Sequence, residues 1–302
     1  MGRRSRKKKE MAEKRKNTIT IRPEHQNDIP EEESKPDKGF SFIYGKGSSR
    51  GGEDFEAEAQ KGEKRILLAT MTSEPYQLAR IYYDLFNKKK VEGIFSRLRC
   101  MDHDKVRDRW VWLYHGEAKK LKFKTSYSQI QKRFHPIVLG SFFLKTDEEM
   151  FINVNSFDRA TKAILFFNKR IPAEVARVTD IEVVNKVFQT RVGSPPEHED
   201  YLDKCCVERS DGEELLANLM EIKSSIKDPD ESLKAVYSHV EDISKKPMPE
   251  IERFPTHFNE QGIGGLKASL TMRQTIAFEH WAGNKNYTFY DLTSKVIMKK
   301  RA

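Results

Sequence analysis

The stretch HPIVLGSFFLKTDEEMFINVNSFDRATKAILFFNKRIP, residues 135–172, decides the fold class of this chain. Its apolar and β-branched residues predict a strand in HPIVLGSFFLK and another in EEMFINVN, and the polar TDEE between them is typical of a hairpin connection. The remainder predicts a helix that Ser156 caps and Pro172 ends. The apolar face of this helix consists of Phe157, Ala160, Ile164 and Phe167. Two strands and a helix in such close succession predict an α+β domain.

The segments on either side extend this pattern. RWVWLYHG (109–116) and the start of VARVTDIEVVNKVF (175–188) predict two further strands. TSEPYQLARIYYDLFNKKK (72–90) predicts a helix capped by Ser73, and VEGIFSRL (91–98) a second, shorter one. The first of these two predictions rests on apolar residues spaced three and four apart, namely Tyr76, Ala79, Tyr83 and Phe86.

The C-terminal third changes in character after GSPPEHED (193–200), which has the composition of a linker. GEELLANLMEIKSSI (212–226) and DPDESLKAVYSHVEDISKK (228–246) predict two helices. From Leu266 onward the even positions are mainly apolar and the odd positions mainly polar, a period of two that predicts a strand. With AGNKN as a turn and YTFYDLTSKVIM as the returning strand, residues 266–298 are predicted to form a long antiparallel β-hairpin.

These segments predict an α+β protein in three parts. Residues 1–62 are predicted to be a disordered charged tail, because they contain too little apolar surface to offset the entropy of ordering. Within it, GFSFIYG (39–45) has the composition of a docking segment. Residues 63–192 are predicted to form a basic α+β domain with a short sheet. Residues 193–302 are predicted to form an acidic helical segment that ends in the β-hairpin.

Charge is distributed unevenly along the chain. The net charge is +9, yet residues 1–16 alone hold nine basic and two acidic side chains, and residues 65–191 hold 24 and 14. The rest of the chain is acidic. A layout in which one tail and one folded block carry the positive charge favours a polyanionic partner.

Several protein classes are disfavoured by what the sequence contains. Cys100, Cys205 and Cys206 are too few and too badly spaced for a disulfide framework, which predicts a cytoplasmic protein, or a nuclear one in a eukaryote. The longest apolar stretch is too short to span a bilayer, so membrane insertion is not expected. No cofactor is predicted either, because the sequence matches neither the known nucleotide-binding motifs nor the known motifs around a catalytic nucleophile. QGIGG (261–265) precedes a predicted strand, the wrong order for binding phosphate.

One enzymatic alternative lies in RLRCMDHDKVRDRWVWLYHGEAKK, residues 97–120. A carboxylate from Asp104 or Asp108, then a strand, then Glu117 and Lys119 is the order in which many metal-dependent nucleases place their magnesium ligands and a lysine. Glu-x-Lys is also common in any lysine-rich chain. The hypothesis therefore requires the carboxylates to lie close together in the folded protein.

Nucleic-acid binding accounts for more residues than any other hypothesis. Cations neutralise phosphates, and exposed aromatic rings among them can stack on bases. Trp110, Trp112 and Tyr114 share one face of a predicted strand, so we expect them in the core rather than on a platform. The predicted nucleic-acid-binding residues are Arg3, Arg4, Arg6, Lys7, Lys8, Lys9, Arg97, Arg99, Arg107, Lys119, Lys120, Lys122, Lys124, Lys132 and Arg133.

The sequence thus predicts a nucleic-acid-associated protein, RNA or DNA, without enzymatic activity. A protein–protein adaptor is the alternative, with the C-terminal hairpin or residues 39–45 as the contact. A metal-dependent nuclease is the second alternative.

Overall fold

The structure, a computed structural model, describes residues 66–190, 194–203, 207–209 and 212–294. Within these residues eight strands form one sheet, in the order β2-β3-β4-β5-β1-β6-β8-β7. Neighbouring strands are antiparallel except for β7 and β8, which are parallel. The strands are β1 (Ala79–Leu85), β2 (Met101–Asp104), β3 (Arg109–Leu113), β4 (Val138–Leu144), β5 (Glu149–Val154), β6 (Ala176–Val184), β7 (Glu208–Arg209) and β8 (Ile251–Pro255).

Helices connect the strands and follow them. The described α-helices are α1 (Lys88–Phe95), α2 (Phe157–Asn168), α3 (His198–Tyr201), α4 (Gly212–Ser225), α5 (Pro229–Ser244), α6 (Phe258–Gln261) and α7 (Ile263–Ala282). Helix α2 contacts β1, β5, β6 and α7. Its N-terminus is fixed by Ser156, whose side chain accepts a hydrogen bond from the Arg159 backbone N–H at 3.1 Å.

The main core lies between one face of the sheet and the helices. On that face β1 contributes Ala79, Ile81, Tyr83 and Leu85, all of them buried. Phe142 and Ile152 from the neighbouring strands are fully buried beside Phe167 of α2. The hairpin of β4 and β5 and the helix α2 confirm the strand–strand–helix order predicted from residues 135–172.

The helix predicted over residues 72–90 is wrong. This region contains β1, followed by α1 from Lys88. The spacing of Tyr76, Ala79, Tyr83 and Phe86 matched a helix, but Phe86 is 56% exposed. Alternate residues of β1 face the core instead, and β5 and β6 supply hydrogen-bonding partners on both edges. Tertiary pairing therefore overrides the local spacing.

The C-terminal β-hairpin is also wrong, because Ile263–Ala282 forms the 20-residue helix α7. Three of its four buried residues, Leu266, Leu270 and Ala277, share one helical face, and the fourth, Ile276, lies beside Ala277, so burial follows the helix and not the period of two. Glycines in the positive-φ region bound the helix, Gly262 at 72° and Gly283 at 114°. Residues 289–294 are helical as well, and residues 295–298 lie outside the described residues.

The sheet extends past the predicted boundary at residue 192, because β8 pairs with β6 and β7 pairs with β8. It is therefore an eight-stranded sheet in the described part of the chain, larger than the short sheet predicted. The division into three parts stays a prediction. The predicted tail at residues 1–62 lies outside the described residues. Among the helices that are described, none is long and apolar enough to cross a membrane.

A buried ion pair joins α7 to the sheet. Arg273 donates two hydrogen bonds to the carboxylate of Glu252 in β8, Nε to Oε2 at 2.9 Å and Nη2 to Oε1 at 2.7 Å. The two side chains are 11% and 5% exposed. Such a pair is costly to break, since removing the cation leaves a buried carboxylate without its main counter-charge.

We expect Arg273→Ala to lower the free energy of unfolding by about 3 kcal/mol, because of this uncompensated carboxylate. Lys186→Ala is the matched control: its pair with Glu250 spans 3.2 Å, but both side chains are about half exposed. The control should cost less than about 1 kcal/mol. Urea unfolding of both variants measures the difference, and equal costs would contradict the structural role of the Arg273 pair.

Candidate nucleic-acid interface

The connection between β3 and β4 holds a dense group of cations on a folded scaffold. It contains three short 3₁₀ turns, Gly116–Lys120, Tyr127–Gln129 and Lys132–Phe134. Phe123 and Ile130 anchor it in the main core. The Tyr114 hydroxyl donates a hydrogen bond to the Leu121 carbonyl at 3.0 Å. The connection is therefore a packed segment rather than a loose loop.

The basic side chains of this connection are exposed, whereas its apolar anchors are buried. Between residues 115 and 135 the chain holds six basic side chains and a single carboxylate, that of Glu117. All six basic residues are exposed, namely Lys119, Lys120, Lys122, Lys124, Lys132 and Arg133.

Two arginines from a distant part of the chain join this group. Glu117 accepts hydrogen bonds from the Arg99 Nε at 3.1 Å and from the Cys100 backbone N–H at 3.1 Å. Gly116 lies at φ +51°, and a Cβ there would come within 2.8 Å of the Arg99 Cβ. This close approach places the exposed Arg99 beside the first 3₁₀ turn, and the exposed Arg97 lies two residues before Arg99 in the chain. We call these eight residues, Arg97, Arg99, Lys119, Lys120, Lys122, Lys124, Lys132 and Arg133, the basic surface.

The electrostatics of Glu117 reflect its position among donors. Partial burial acts to raise the pKa of Glu117, but hydrogen bonds from the backbone and from Arg99 outweigh it and lower that pKa to about 2. The carboxylate is therefore charged at neutral pH and is held by the segment that it joins. Its hydrogen bonds to Arg99 and to the Cys100 backbone stabilise the scaffold.

A groove borders the basic surface along α1. It has a volume of about 450 Å³ and lies between α1 and residues 172–175. Lys89, Lys90 and Arg97 line it, with Glu174 as the acidic member of the lining. Gly93 lies between the cations and leaves the groove open, since no atom approaches within 4 Å of where its Cβ would be. Lys89 and Lys90 were not among the predicted binding residues, although the run NKKK at residues 87–90 was a visible signal.

The aromatic residues of this region are mostly structural, as expected. Trp112 and Tyr114 are 0% and 1% exposed. Trp110 is half-buried and stacks on His103 with 4.6 Å between the ring centroids. At the basic surface itself, the Lys119 Nζ lies 4.2 Å from the centroid of the half-buried Tyr127 ring. The surface therefore presents cations far more than free ring faces.

Arg107 does not belong to the basic surface. It lies in the turn between β2 and β3, whereas Cys100 and Glu117 lie at the opposite end of β2. The four-residue length of β2 separates the two ends by about 13 Å. The predicted binding residues from Arg3 to Lys9 lie outside the described residues.

The carboxylates required by the nuclease hypothesis do not come together. Asp104 pairs with Arg109 at 3.1 Å, and Asp108 lies 3.6 Å from His103, both near the β2–β3 turn. Glu117 lies at the other end of β2. In the described ranges, no three side chains of His, Cys, Asp or Glu are grouped as a metal site would require.

Comparisons of the chain with protein-family models, with curated proteins and with solved structures found no match. The function is therefore inferred from the residues of this chain and their geometry.

The depressed pKa of Glu117 predicts how acid affects stability. A carboxylate whose pKa falls from 4.5 to about 2 on folding contributes stability that is complete above pH 4.5 and is lost as the pH falls toward 2. We expect Glu117→Gln to cost about 1–2 kcal/mol at pH 7, as for the loss of charge-assisted hydrogen bonds. The difference from the parent protein should shrink as the pH falls through this window.

Urea unfolding at a series of pH values measures this effect. The exposed Glu148 in the β4–β5 turn provides the control. Glu148→Gln should leave the stability close to that of the parent protein. A cost of Glu117→Gln that stays constant from pH 7 to pH 2 would contradict the role assigned to this carboxylate.

Proposed function

We propose that the protein binds nucleic acid through the basic surface. The observation that supports this most is the group of eight exposed cations on two segments, which the bonds of Glu117 to Arg99 and to the Cys100 backbone join. Lysines on a disordered tail can serve solubility alone. Here apolar anchors fix the segment that carries six of the cations, and a close backbone approach joins that segment to Arg99.

The chemistry of this surface suits phosphates. Exposed lysines and arginines stay charged and can replace the counterions that condense on a polyanion, and release of those counterions favours binding. The groove along α1 extends the same field through Lys89, Lys90 and Arg97. Binding by this route needs no cofactor and no reaction.

The mode of binding that the residues favour is contact with the backbone. Base readout needs side chains that reach base edges or open ring faces that stack. Trp112 and Tyr114 are buried, and the half-buried Tyr127 already carries Lys119 over its ring. We therefore propose that the affinity for nucleic acid depends weakly on base sequence and strongly on salt concentration.

Neutralising part of the surface tests this proposal. In the full-length chain, replacing Lys119, Lys120, Lys122 and Lys132 by Gln should weaken binding to a single-stranded oligonucleotide by roughly tenfold or more. It should also reduce the slope of log K against log salt by about 3, for four lost phosphate contacts. Fluorescence anisotropy over a range of salt concentrations measures both quantities.

The control variant removes the same charge elsewhere. Lys223, Lys227, Lys234 and Lys246 are exposed and lie in or beside α4 and α5, so their replacement by Gln should preserve the salt slope. Equal slopes for the two variants would overturn the proposal. A third variant lacking residues 1–16 separates the tail from the folded surface. If the variant lacking residues 1–16 did not bind the oligonucleotide, and the variant of the basic surface bound it normally, the folded surface would not be the binding site.

A further inference from the structure

Helices α4 and α5 form an antiparallel helical hairpin. A short connection over residues 226–228 joins them, and Asp228 caps α5 by accepting hydrogen bonds from the backbone N–H groups of Asp230 and Glu231, both at 2.9 Å. The Ser232 hydroxyl reaches back to the Lys223 carbonyl of α4 at 3.0 Å. The two helices contact each other, and those contacts come from their half-buried residues.

This hairpin exposes an unusual amount of apolar surface. Eleven large hydrophobic residues are exposed in the described part of the chain, and six of them lie on these two helices. Among the six, Met220 is 60% exposed and Tyr237 is 66% exposed. The six are Leu215, Leu216, Met220, Leu233, Tyr237 and Val240.

The exposed residues lie in stripes separate from the inner faces of the helices. In α5 the inner face includes the buried Ser232 and the half-buried Val236, and the stripe of Leu233, Tyr237 and Val240 lies roughly 100° away around the axis.

In α4 the inner face carries Leu219 and Ile222, and the stripe of Leu216 and Met220 lies about 110° away, in the same rotational sense. Because the two helices run in opposite directions, an equal rotation brings both stripes to the same side of the hairpin. That side is the apolar face of the hairpin.

Two apolar sides at this angle are what a helix in a four-helix bundle requires. Each helix there packs against two neighbours that lie at about a right angle, whereas a helix in an isolated pair needs one apolar side. Helices α4 and α5 already use one side for each other. The second side fits another helical hairpin.

We propose that the apolar face binds the same face of a second copy of this chain, giving a twofold-symmetric four-helix bundle. In an isologous contact the same patch serves both partners, so one apolar face is sufficient. Residues 212–246 carry eight acidic and five basic side chains, so two copies repel each other only weakly.

The size of the face sets the expected affinity. Helix α5 has 16 residues and is about 24 Å long, so a face two helices wide covers on the order of 400–500 Å². Patches of this size mark interaction sites, although a standard interface buries about 800 Å² per partner. The expected dimer is therefore reversible, with a dissociation constant in roughly the micromolar range.

Sedimentation velocity of the full-length chain tests this proposal, at concentrations from about 1 to about 100 μM and at high salt to screen charge contacts. The parent protein should pass from monomer to dimer over this range. The variant Leu233→Glu with Tyr237→Glu should remain monomeric. The control, Phe86→Glu with Val106→Glu, alters residues that are 56% and 95% exposed elsewhere and should dimerise like the parent.

A mixing experiment distinguishes loss of the interface from loss of folding. The variant Leu233→Lys with Tyr237→Lys should also be monomeric alone, but mixing it with the Glu variant at low salt should restore a dimer, because the two apolar faces then carry opposite charges. A parent protein that stays monomeric at about 100 μM would overturn the proposal. So would a Glu variant that dimerises like the parent, or a mixture that stays monomeric.

Discussion

The pairing of β1 with β5 on one edge and β6 on the other is the contact on which the rest of the structure depends. Ile81 lies opposite Ile152 and Ile181 in the two ladders, and all three are fully buried. The strands β4, β3 and β2 extend the sheet beyond β5, and the basic surface is built on that side. The strands β8 and β7 extend it beyond β6, and α7 is held there by the Arg273 pair. Both sides are therefore positioned by one seven-residue strand.

The parts of the fold that could be predicted are those in which local pattern and tertiary environment agree. The hairpin of β4 and β5 and the capped helix α2 are such cases, because strand composition, turn residues and capping residue all indicate the same elements. In and around β1, Tyr76, Ala79, Tyr83 and Phe86 have helical spacing, and pairing with the two partner strands decides for a strand instead. In α7 the apolar residues alternate along the sequence, yet the buried residues are Leu266, Leu270, Ile276 and Ala277, which do not keep that alternation. The local pattern of a segment does not show which other segment it will pair with or pack against.

The candidate site shows a similar division. The exposure of the cations from Lys119 to Arg133 could be predicted, because burying a charged side chain without a partner is costly. Arg97 and Arg99 were predicted together with them, but the contact that joins the two segments was not, since it depends on Gly116 in the positive-φ region and on the bonds of Glu117. Arg107 is close to these arginines in sequence but far from them in space, because β2 carries it away. Proximity along the chain did not predict proximity in space in this case, because the strand β2 lies between the residues.

The placement of β1 between later strands also constrains synthesis on the ribosome. Residue 79 emerges long before its partners: Val183 of β6 follows it by about a hundred residues, and the hydrogen bond of 2.7 Å from Gln274 to Gln77 joins positions 197 apart. During translation β1 therefore has open edges and an apolar face that no later element yet covers. Nascent chains in this condition are substrates for chaperones, since unpaired strands associate with one another. The sheet therefore cannot be completed until β8 (Ile251–Pro255) has been synthesised, and the yield of native protein depends on how long the emerging strand is shielded.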